Sequence, residues 1–324
     1  MQQREPVVVN DLNTALEVLS NRVFRVDHPF RTTRKLFGVS VLDTEGYEHT
    51  RRKRAWMRLF RRAQMEGAVG PLIVRAVDDG FAHAKARGDL STLCVWIPNR
   101  VILDLLGCPH LDPEEHYARV RGAAELLETN RPGPEITEIR NYLRSGAFDQ
   151  GGLFADLAEE DRTREIAVLL VAGVETTIVA LELLICNWAR DASGFNALLA
   201  QEGAERYIFR MLCEDPPLGL AMRYTQEETR VAACTYPAGT IMNVDIAAVD
   251  ACEADMAKIV FGRGRHQCPG RSLALRELTL VAERLTCISP DDYQFHMSSN
   301  SPRPGTFRHP GVIRMPACPV REGT

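Results

Sequence analysis

The chain has 324 residues, of which 45% are hydrophobic and 25% charged, and its formal net charge is −4. This length is sufficient for one large hydrophobic core or two smaller ones. The weak negative charge gives no global indication of binding to nucleic acid or to an anionic membrane.

Nine cysteines are scattered along the chain without a Cys-x-x-Cys pair. An odd and irregularly spaced set argues against a disulfide framework or a zinc module, and it favours a reducing compartment. The first residues lack the apolar segment of a signal peptide, and we expect no membrane anchor. The sequence therefore predicts a cytoplasmic protein.

The first predicted elements are short. Residues 6–9 are typical of a strand, and residues 11–19 of a helix with Asp11 as its N-cap. Residues 21–42 contain Pro29, Gly38 and several polar side chains, so we expect a loop there.

A strongly basic helix is predicted to follow. Its cationic residues are Arg51, Arg52, Lys53, Arg54, Arg58, Arg61 and Arg62. Trp56, Met57 and Phe60 are expected to form its apolar side. The run is interpretable as a solvated face, or as a site for the carboxylates of a cofactor or an acidic partner. Binding to nucleic acid is the weaker third interpretation, because no base-reading motif accompanies the run.

The middle of the chain is predicted to be helical and to contain no internal repeat. The amphipathic segments are residues 69–86, 93–106, 112–128 and 136–143. Helix breakers separate them at residues 107–109 and 130–134, and a glycine-bearing loop follows at residues 145–152.

The dominant helix is predicted at about residues 156–192. Its stretch 166–188 is apolar and long enough to span a bilayer, but Glu175 and Glu182 would be costly in lipid. We therefore expect a buried central helix. Its centre, Ala172-Gly-Val-Glu-Thr-Thr177, contains residues that are poor choices for a helix interior, and such local conflict often marks a functional site. A glycine that lets another helix pack closely is the simpler alternative.

A further helix is predicted at residues 201–213, where Asp215-Pro-Pro217 stops it. Residues 229–248 are typical of a β-hairpin. Its strands are expected at residues 231–236 and 240–247, joined by a turn at residues 237–239.

The stretch Phe261-Gly-Arg-Gly-Arg-His-Gln-Cys-Pro-Gly270 surrounds Cys268 with glycines and cations, and a predicted helix follows it. The charges of Arg263, Arg265 and His266 favour a thiolate over a thiol. Backbone N–H groups at the start of the helix can also point at an anionic sulfur. The pattern therefore predicts a metal-bound or catalytic thiolate, with a buried cysteine in a glycine-rich turn as the simpler alternative.

Phe261, Gly264, Cys268 and Gly270 match Phe-x-x-Gly-x-x-x-Cys-x-Gly, the haem-binding loop of cytochromes P450, and the chain resembles this family from about residue 6 to residue 320. The resemblance implies a mainly α fold with small β-sheets, formed as a single haem domain over residues 1–324. It also implies haem b as the cofactor and Cys268 as the axial ligand of its iron. The other cofactor contacts implied in this loop are Phe261, Gly262, His266 and Gly270.

The centre of the long helix resembles the family motif Ala-Gly-x-Asp/Glu-Thr. This likeness implies that Glu175 and Thr176 are the acid–alcohol pair that relays protons during oxygen activation, with Ala172 and Gly173 beside the haem. Candidate substrate contacts are Val168, Val171, Gly219 and Leu220. Core packing explains the two valines equally well.

Two further segments resemble those that bind the haem propionates. In the first, Glu48-His-Thr-Arg-Arg-Lys53, the residues implied are His49 and Lys53. The family more often has arginine at the second place, and lysine keeps the charge but loses the bidentate fork. In the second segment, which begins at Arg223, the arginine is implied to bind the other propionate.

The chain departs from the family pattern behind the haem. The buried Glu-x-x-Arg pair aligns with Tyr207 and Arg210, so its glutamate is missing. An unpaired buried arginine is costly. We therefore expect Arg210 to find Glu205, another carboxylate or the Tyr207 hydroxyl.

The chain is also shorter than most members of the family. The N-terminal helix and strands, the helices that roof the pocket and the loop that precedes Phe261 are all reduced. We expect an unusually open pocket, or one covered by the second subunit of a homodimer.

The resemblance implies a P450-type monooxygenase or oxidase that uses O2 and electrons from a ferredoxin-type partner. It would act on a small organic or natural-product-like substrate in secondary-metabolite biosynthesis. Arg51, Arg52, Arg58 and Arg265 are candidates for docking the electron donor. Two alternatives stay open: a degenerate helper protein, and a haem enzyme that performs a redox-neutral cyclisation or rearrangement.

Overall fold

The computed structural model describes residues 5–29, 31–129, 135–145, 148, 153–249, 252–293 and 306–309. The fold is mainly α with two small β-sheets, as predicted. The helices are α1 Leu12–Ser20, α2 Thr32–Phe37, α3 Gly46–Leu59, α4 Arg62–Gln64, α5 Gly70–Arg87, α6 Thr92–Leu105, α7 Pro113–Thr129, α8 Glu135–Leu143, α9 Glu159–Arg190, α10 Ala192–Glu202, α11 Ala204–Glu214, α12 Glu253–Met256 and α13 Arg271–Leu285.

Helix α9 is the centre of the fold. Its first turn contains Glu159, Glu160 and Asp161, which complement the helix dipole. Helices α6, α7, α8, α10, α11 and α13 all pack against it. The helix is long and apolar enough to cross a membrane, but 78% of its most apolar 18-residue window is buried inside the protein. The prediction of a buried central helix is therefore confirmed.

The strands are β1 Val7–Val9, β2 Phe24–Arg25, β3 Leu220–Thr225, β4 Thr229–Val231, β5 Cys234–Tyr236 and β6 Ile241–Asp245. The larger sheet has the order β1-β6-β3-β2, in which β1 is parallel to β6 and the other pairs are antiparallel. Strands β4 and β5 form the second sheet.

The predicted hairpin at residues 229–248 is therefore wrong. Residues 231–236 do not form one strand, because the chain reverses at Ala232, where φ is +50°, and β5 pairs back onto β4. Strand β6 pairs with β1 and β3 instead. Its Met242 and Val244 are fully buried, so the strand gains more from a central place in the larger sheet.

Several helix boundaries also differ from the predictions. Asp11 caps α1 as expected, since its side chain accepts from the Thr14 N–H at 2.9 Å. The loop predicted at residues 21–42 contains β2 and α2. The helix predicted at residues 201–213 is two helices, because Gly203 adopts φ of +84° between α10 and α11. Met57, placed on the apolar side of α3, is 43% exposed.

Helices α7 and α8 occupy the stretch that was expected to be too short to roof the pocket. They pack against each other, against α9 and against α2. Helix α8 has only nine residues. The predicted breaker at residues 130–134 lies outside the described residues, as does most of the loop at residues 145–152.

Candidate active site

The loop that bears Cys268 is held by its own backbone. The N–H of Cys268 donates to the carbonyl of Phe261 at 2.8 Å, and the N–H of Gly262 donates to Ile259 at 2.7 Å. Gly262 and Gly264 have φ of +68° and +67°, which favours glycine at both places. A Cβ at Gly264 would also lie 3.3 Å from the carbonyl oxygen of Leu19. The loop conformation therefore favours glycine at Gly262 and at Gly264, the second of which belongs to the motif.

Cys268 is exposed as a residue, although protein atoms surround its thiol closely enough to desolvate it. Burial raises the pKa of its thiol, while the N–H groups of Gly270 and Arg271 and the charge of Lys53 act in the opposite direction. Without a metal, burial thus opposes the thiolate that the sequence predicts, and the thiolate stays a prediction. A bound metal would favour the thiolate, because thiolate is the form that ligates.

His266 and Arg265 have a structural partner. Both donate to Glu45, with Nε2 of His266 and Nε of Arg265 at 3.0 and 2.6 Å from its oxygens. Burial opposes ionisation of Glu45, but these two bonds outweigh it and lower the pKa of Glu45 to about 2. Glu45 thus fastens the cysteine loop to the start of α3.

His49 and Lys53 lie on α3 and face the same loop. The His49 ring is buried, its centroid is 4.2 Å from that of His266, and its Nε2 has no hydrogen-bond partner among the described residues. Burial, together with the charges of His266 and Lys53, lowers the pKa of His49 to about 4. Lys53 donates to the carbonyl of Gln267.

Arg223 is a buried cation on β3. It is 7% exposed, and within the described part of the chain its guanidinium makes one hydrogen bond, to the carbonyl of Met222 at 2.9 Å. Burial and the nearby charges of Arg31 and Arg265 lower the pKa of Arg223 to about 10. Its charge in turn acts on His266, so it lies near the cysteine loop. A buried arginine without a carboxylate is costly unless an anion binds there.

These groups fit a haem. The thiol of Cys268, the unpartnered Nε2 of His49 and the unpaired charge of Arg223 lie around one loop. The propionates of a haem are carboxylates, which a buried guanidinium and ring N–H groups bind well.

Helix α9 runs unbroken through residues 172–177, although the sequence there is unfavourable for a helix. Ala172, Gly173 and Thr176 are half-buried on a helix that is otherwise mostly buried, and they share one side of it. Val168 and Val171 are fully packed in the core and lie outside this accessible strip. The core interpretation of the two valines therefore describes this structure better.

Glu175 does not share the accessible side with Thr176. It is buried, and its Oε1 lies 3.3 Å from the Tyr117 hydroxyl and 3.1 Å from Nε2 of His309. Nδ1 of His309 lies 2.9 Å from Glu182. The sequence reasoning missed Tyr117 and His309. One clue was present, since Glu182 follows Glu175 by seven residues on the same face of a mostly apolar helix, and a carboxylate buried there requires a donor.

Gly219 and Leu220 lie beside the segment that holds His309. The N–H of Gly219 donates to Thr306 at 2.9 Å, and its carbonyl accepts from Ile246 at 2.8 Å. Gly219 is buried, while Leu220 is half-buried at the start of β3. The backbone of Gly219 thus fixes the position of residues 306–309.

Arg210 is not the buried arginine that the alignment suggested. Its guanidinium binds Glu202 at 2.6 Å and Glu214 at 3.0 Å, its side chain is 25% exposed, and it lies over the Tyr207 ring at 5.3 Å. Glu205 is not the partner. The break at Gly203 brings Glu202 within reach of Arg210, which the sequence did not predict.

The arginines proposed for docking an electron donor are engaged by carboxylates of the chain itself. Arg52 is buried and binds Asp161 at 2.6 Å and Glu165 at 2.7 Å. Arg51 binds Glu48 and Asp161, Arg58 binds Asp156, and Arg265 binds Glu45. Arg52 is therefore unavailable for docking, whereas Arg51, Arg58 and Arg265 keep exposed surface beside their carboxylate partners, and their part in docking stays a prediction. Much of the basic run of α3 joins α3 to the beginning of α9.

An open cleft of about 490 Å³ lies next to the cysteine loop. Its lining residues are Ser20, Ala257, Lys258, Gly262, Arg263, Gly264 and Gln267. Since Gln267 directly precedes Cys268, the cleft adjoins the cysteine loop.

Comparison with known proteins finds relatives in sequence and in structure. Cytochrome P450 CYP105Q4 of Mycobacterium marinum is 28% identical over 288 residues, which covers 76% of this chain and 68% of that protein. Pentalenolactone synthase of Streptomyces exfoliatus is 27% identical, covering 75% of this chain and 70% of the relative. The structure of P450 RauA, complexed with a biosynthetic intermediate of aurachin RE, has a TM-score of 0.77 at 20% identity and covers 95% of this chain and 90% of its own. No family model matches the chain.

Proposed function

Because this chain is a bacterial-type member of the cytochrome P450 family, we propose that it is a haem-thiolate monooxygenase, formed by residues 1–324 as one haem domain. The proposal rests mainly on the convergence of Cys268, His49 and Arg223 around one loop, where a thiol meets two buried groups that lack an anion.

The cofactor is proposed to be haem b, whose iron the thiolate of Cys268 would hold. Arg223 binds one propionate, and His49 with Lys53 binds the other. Phe261, Gly262, His266 and Gly270 shape the loop around the sulfur. When bound, haem supplies the one-electron and dioxygen chemistry that side chains lack.

Thr176 and Glu175 are proposed to donate and accept protons during the reaction. Ala172 and Gly173 leave a flat, accessible strip on α9, and the Thr176 hydroxyl is beside it. Glu175 is the adjacent carboxylate, held out of solvent. Positioned acid–base groups of this kind typically contribute about 10²–10⁴-fold to a rate.

The substrate is proposed to be a small organic intermediate of natural-product biosynthesis. Two relatives support this class: one is named pentalenolactone synthase, and the structure of another holds a biosynthetic intermediate. Leu220, which is half-buried beside residues 306–309, is the preferred candidate for a substrate contact.

The electron donor is proposed to be a ferredoxin-type protein that docks beside the cleft at Gln267 in the cytoplasm. Arg263 and Lys258 line the cleft, and Arg54 and Arg61 are exposed cations of the basic run at residues 51–62. Together with the partly exposed Arg51, Arg58 and Arg265, these four cations are proposed as the acidic partner's contacts, and Lys258 is among those that also bind a carboxylate of the chain, Asp255. Their attraction to an acidic donor would weaken with salt.

The test is turnover with labelled oxygen. The purified holoprotein is given NADPH, a surrogate ferredoxin and its reductase, ¹⁸O2, and a panel that includes a fluorogenic aryl ethyl ether and terpenoid acids. A monooxygenase transfers one labelled oxygen atom to a product, and the reaction requires the donor.

Other results would contradict the proposal. A rearranged product without label would indicate the redox-neutral enzyme. A protein that binds no haem but stabilises a second enzyme would indicate the helper.

A further inference from the structure

A histidine bridges two carboxylates of the central helix. Nε2 of His309 lies 3.1 Å from Glu175, and Nδ1 lies 2.9 Å from Glu182. The two glutamates are seven residues apart and so share one face of α9. Only an imidazolium can donate to both carboxylates at once, since the neutral ring has one N–H.

The segment that carries His309 is fixed from the other side. Thr306 accepts from Gly219, Phe307 is buried and forms a bridge with Leu218, and the N–H of Arg308 donates to Pro217 at 2.9 Å. The Arg308 guanidinium also binds Asp215 at 2.5 Å. His309 is thus held between the start of β3 and α9.

The charges around His309 favour its protonated form. Burial opposes the charge, but the bonds to Glu175 and Glu182 outweigh it and raise the pKa of His309 to about 10. Tyr117 on α7 faces Glu175 as well; burial and the carboxylates raise the pKa of its hydroxyl, which therefore stays a neutral donor. Arg121 acts weakly on Tyr117 from α7, and Cys94 and Cys186 lie near Glu182.

Glu175 depends on this bridge. Its side chain is only 6% exposed, and His309 is the cation that contacts it within the described part of the chain. A buried carboxylate without a cation tends to take up a proton. His309 and Glu182 are both more exposed than Glu175, so the bridge runs from the surface to the buried acid.

We propose that His309 is a positioning residue for Glu175: its imidazolium, shared with Glu182, holds the buried carboxylate ionised and in place beside Thr176. This inference rests on the proposed function. It assigns to residues 306–309 a role in fixing the charge and the position of Glu175, the carboxylate that acts with Thr176.

A merely structural role is the competing explanation, in which His309 only fastens its segment to α9. Charge separates the two. His309→Gln keeps much of the size and a hydrogen-bond donor but removes the cation, whereas His309→Lys restores the cation without the ring. If His309 positions Glu175 through its charge, His309→Gln should be defective and His309→Lys should not. If His309 only fastens its segment, the charge of the replacement should not matter.

The experiment uses the full chain with its haem and has two readouts. The first is the infrared C=O band of a protonated carboxylic acid near neutral pH, assigned to Glu175 by its loss in the Glu175→Gln background. The second is the fraction of electrons that reaches product rather than peroxide, with the aryl ethyl ether as probe. The band is independent of turnover.

We expect the band to be absent in the wild type, to appear in His309→Gln and to be lost again in His309→Lys. Coupling should fall about tenfold or more in His309→Gln, within the range of an acid–base group. The double variant with Glu175→Gln should couple no worse than Glu175→Gln alone. Glu182→Gln, a milder change, should lose coupling progressively as the pH is raised, because His309 then has one anion instead of two.

His83→Gln is the matched control. Nε2 of His83 lies 3.4 Å from Glu114, so the pair joins α5 to α7 and lies outside the Glu175 cluster. It should leave the band and the coupling unchanged.

The proposal is overturned if His309→Gln shows neither the band nor a loss of coupling. It is also overturned if His309→Lys is as defective as His309→Gln. A loss of coupling in the double variant that equals the product of the two single losses would overturn it as well. Failure of the proposed function is separate: the protein then lacks a thiolate-bound haem, while the infrared band still reports the state of Glu175.

Discussion

Replacing Arg223 with methionine should stabilise the haem-free protein while weakening its hold on haem. The pKa of Arg223 falls from 12.5 to about 10 on folding. At about 1.4 kcal/mol for each pKa unit, the folded protein disfavours the charged guanidinium by about 3 kcal/mol. Methionine removes this cost and also removes one hydrogen bond to Met222, worth about 1 kcal/mol. The free energy of unfolding should therefore rise by about 2 kcal/mol.

The effect on haem should have the opposite sign. A hydrogen bond to a charged group is worth about 1.5–3 kcal/mol, so loss of the contact to a propionate should weaken haem affinity about 10- to 100-fold. Urea unfolding of the haem-free protein gives the first quantity. The rate and extent of haem transfer to an excess of apomyoglobin give the second.

Arg31→Met is the matched control. Arg31 is another largely buried arginine, but it donates to the carbonyls of Val26 and Leu42 and lies 3.7 Å from the buried Asp43. Its loss removes two hydrogen bonds and an ion pair of Asp43, to which Thr33 and Ser40 still donate, and should destabilise the haem-free protein by about 1–3 kcal/mol. If Arg223→Met destabilises the protein in the same way and leaves haem affinity unchanged, Arg223 is a structural residue and not an anion site.

Three further predictions concern other parts of the molecule. Burial raises the pKa of Glu277, which is 2% exposed, from 4.5 to about 8, so the folded state binds a proton that the unfolded state has lost. The free energy of unfolding should therefore fall by about 3 kcal/mol as the pH rises from about 6 to 9. Urea titrations of Glu277→Gln should show a weaker dependence on pH. Arg52→Met should lower the free energy of unfolding by about 3–5 kcal/mol, because it leaves buried Glu165 without its cation. Arg54 is exposed, and Arg54→Met should change the free energy of unfolding by less than about 0.5 kcal/mol. Equal effects of the two variants would contradict the account of the basic run. Thr176→Ala should keep the haem spectrum but divert electrons to peroxide, and unchanged coupling in an oxygen-electrode assay would show that protons do not pass this hydroxyl.

The elements that sequence predicted well are those determined by local pattern. The apolar periodicity of α9 is strong enough to place the helix, and the two glutamates within its apolar stretch, Glu175 and Glu182, argued against a membrane span. In the cysteine loop, positive φ at Gly262 and Gly264 explains why glycine occurs at both places. Local conformation and residue type were sufficient at these sites.

The features that sequence missed depend on pairing between distant segments. Nothing near Glu182 indicates that His309, 127 residues later, completes its hydrogen bond. The charges of Arg51 and Arg52 and their neighbour Glu48 were visible, but the other carboxylates that bind them, Asp161 and Glu165, lie on α9. Strand β6 likewise pairs with β3 in the larger sheet and not with the adjacent β5, because this pairing buries its apolar residues in the core. These pairings are determined by tertiary packing and not by the conformational preference of the local sequence.

The most direct measurement of the central claim is the visible spectrum of the purified protein, reduced and exposed to carbon monoxide. If Cys268 ligates the haem iron through its thiolate, the Soret band should show the long-wavelength shift typical of thiolate ligation. Cys268→Ala should lose that shifted band, while Cys287→Ala, which changes another exposed cysteine, should keep it. A shifted band that survives in Cys268→Ala would contradict the assignment of the ligand and the account of the site built around it.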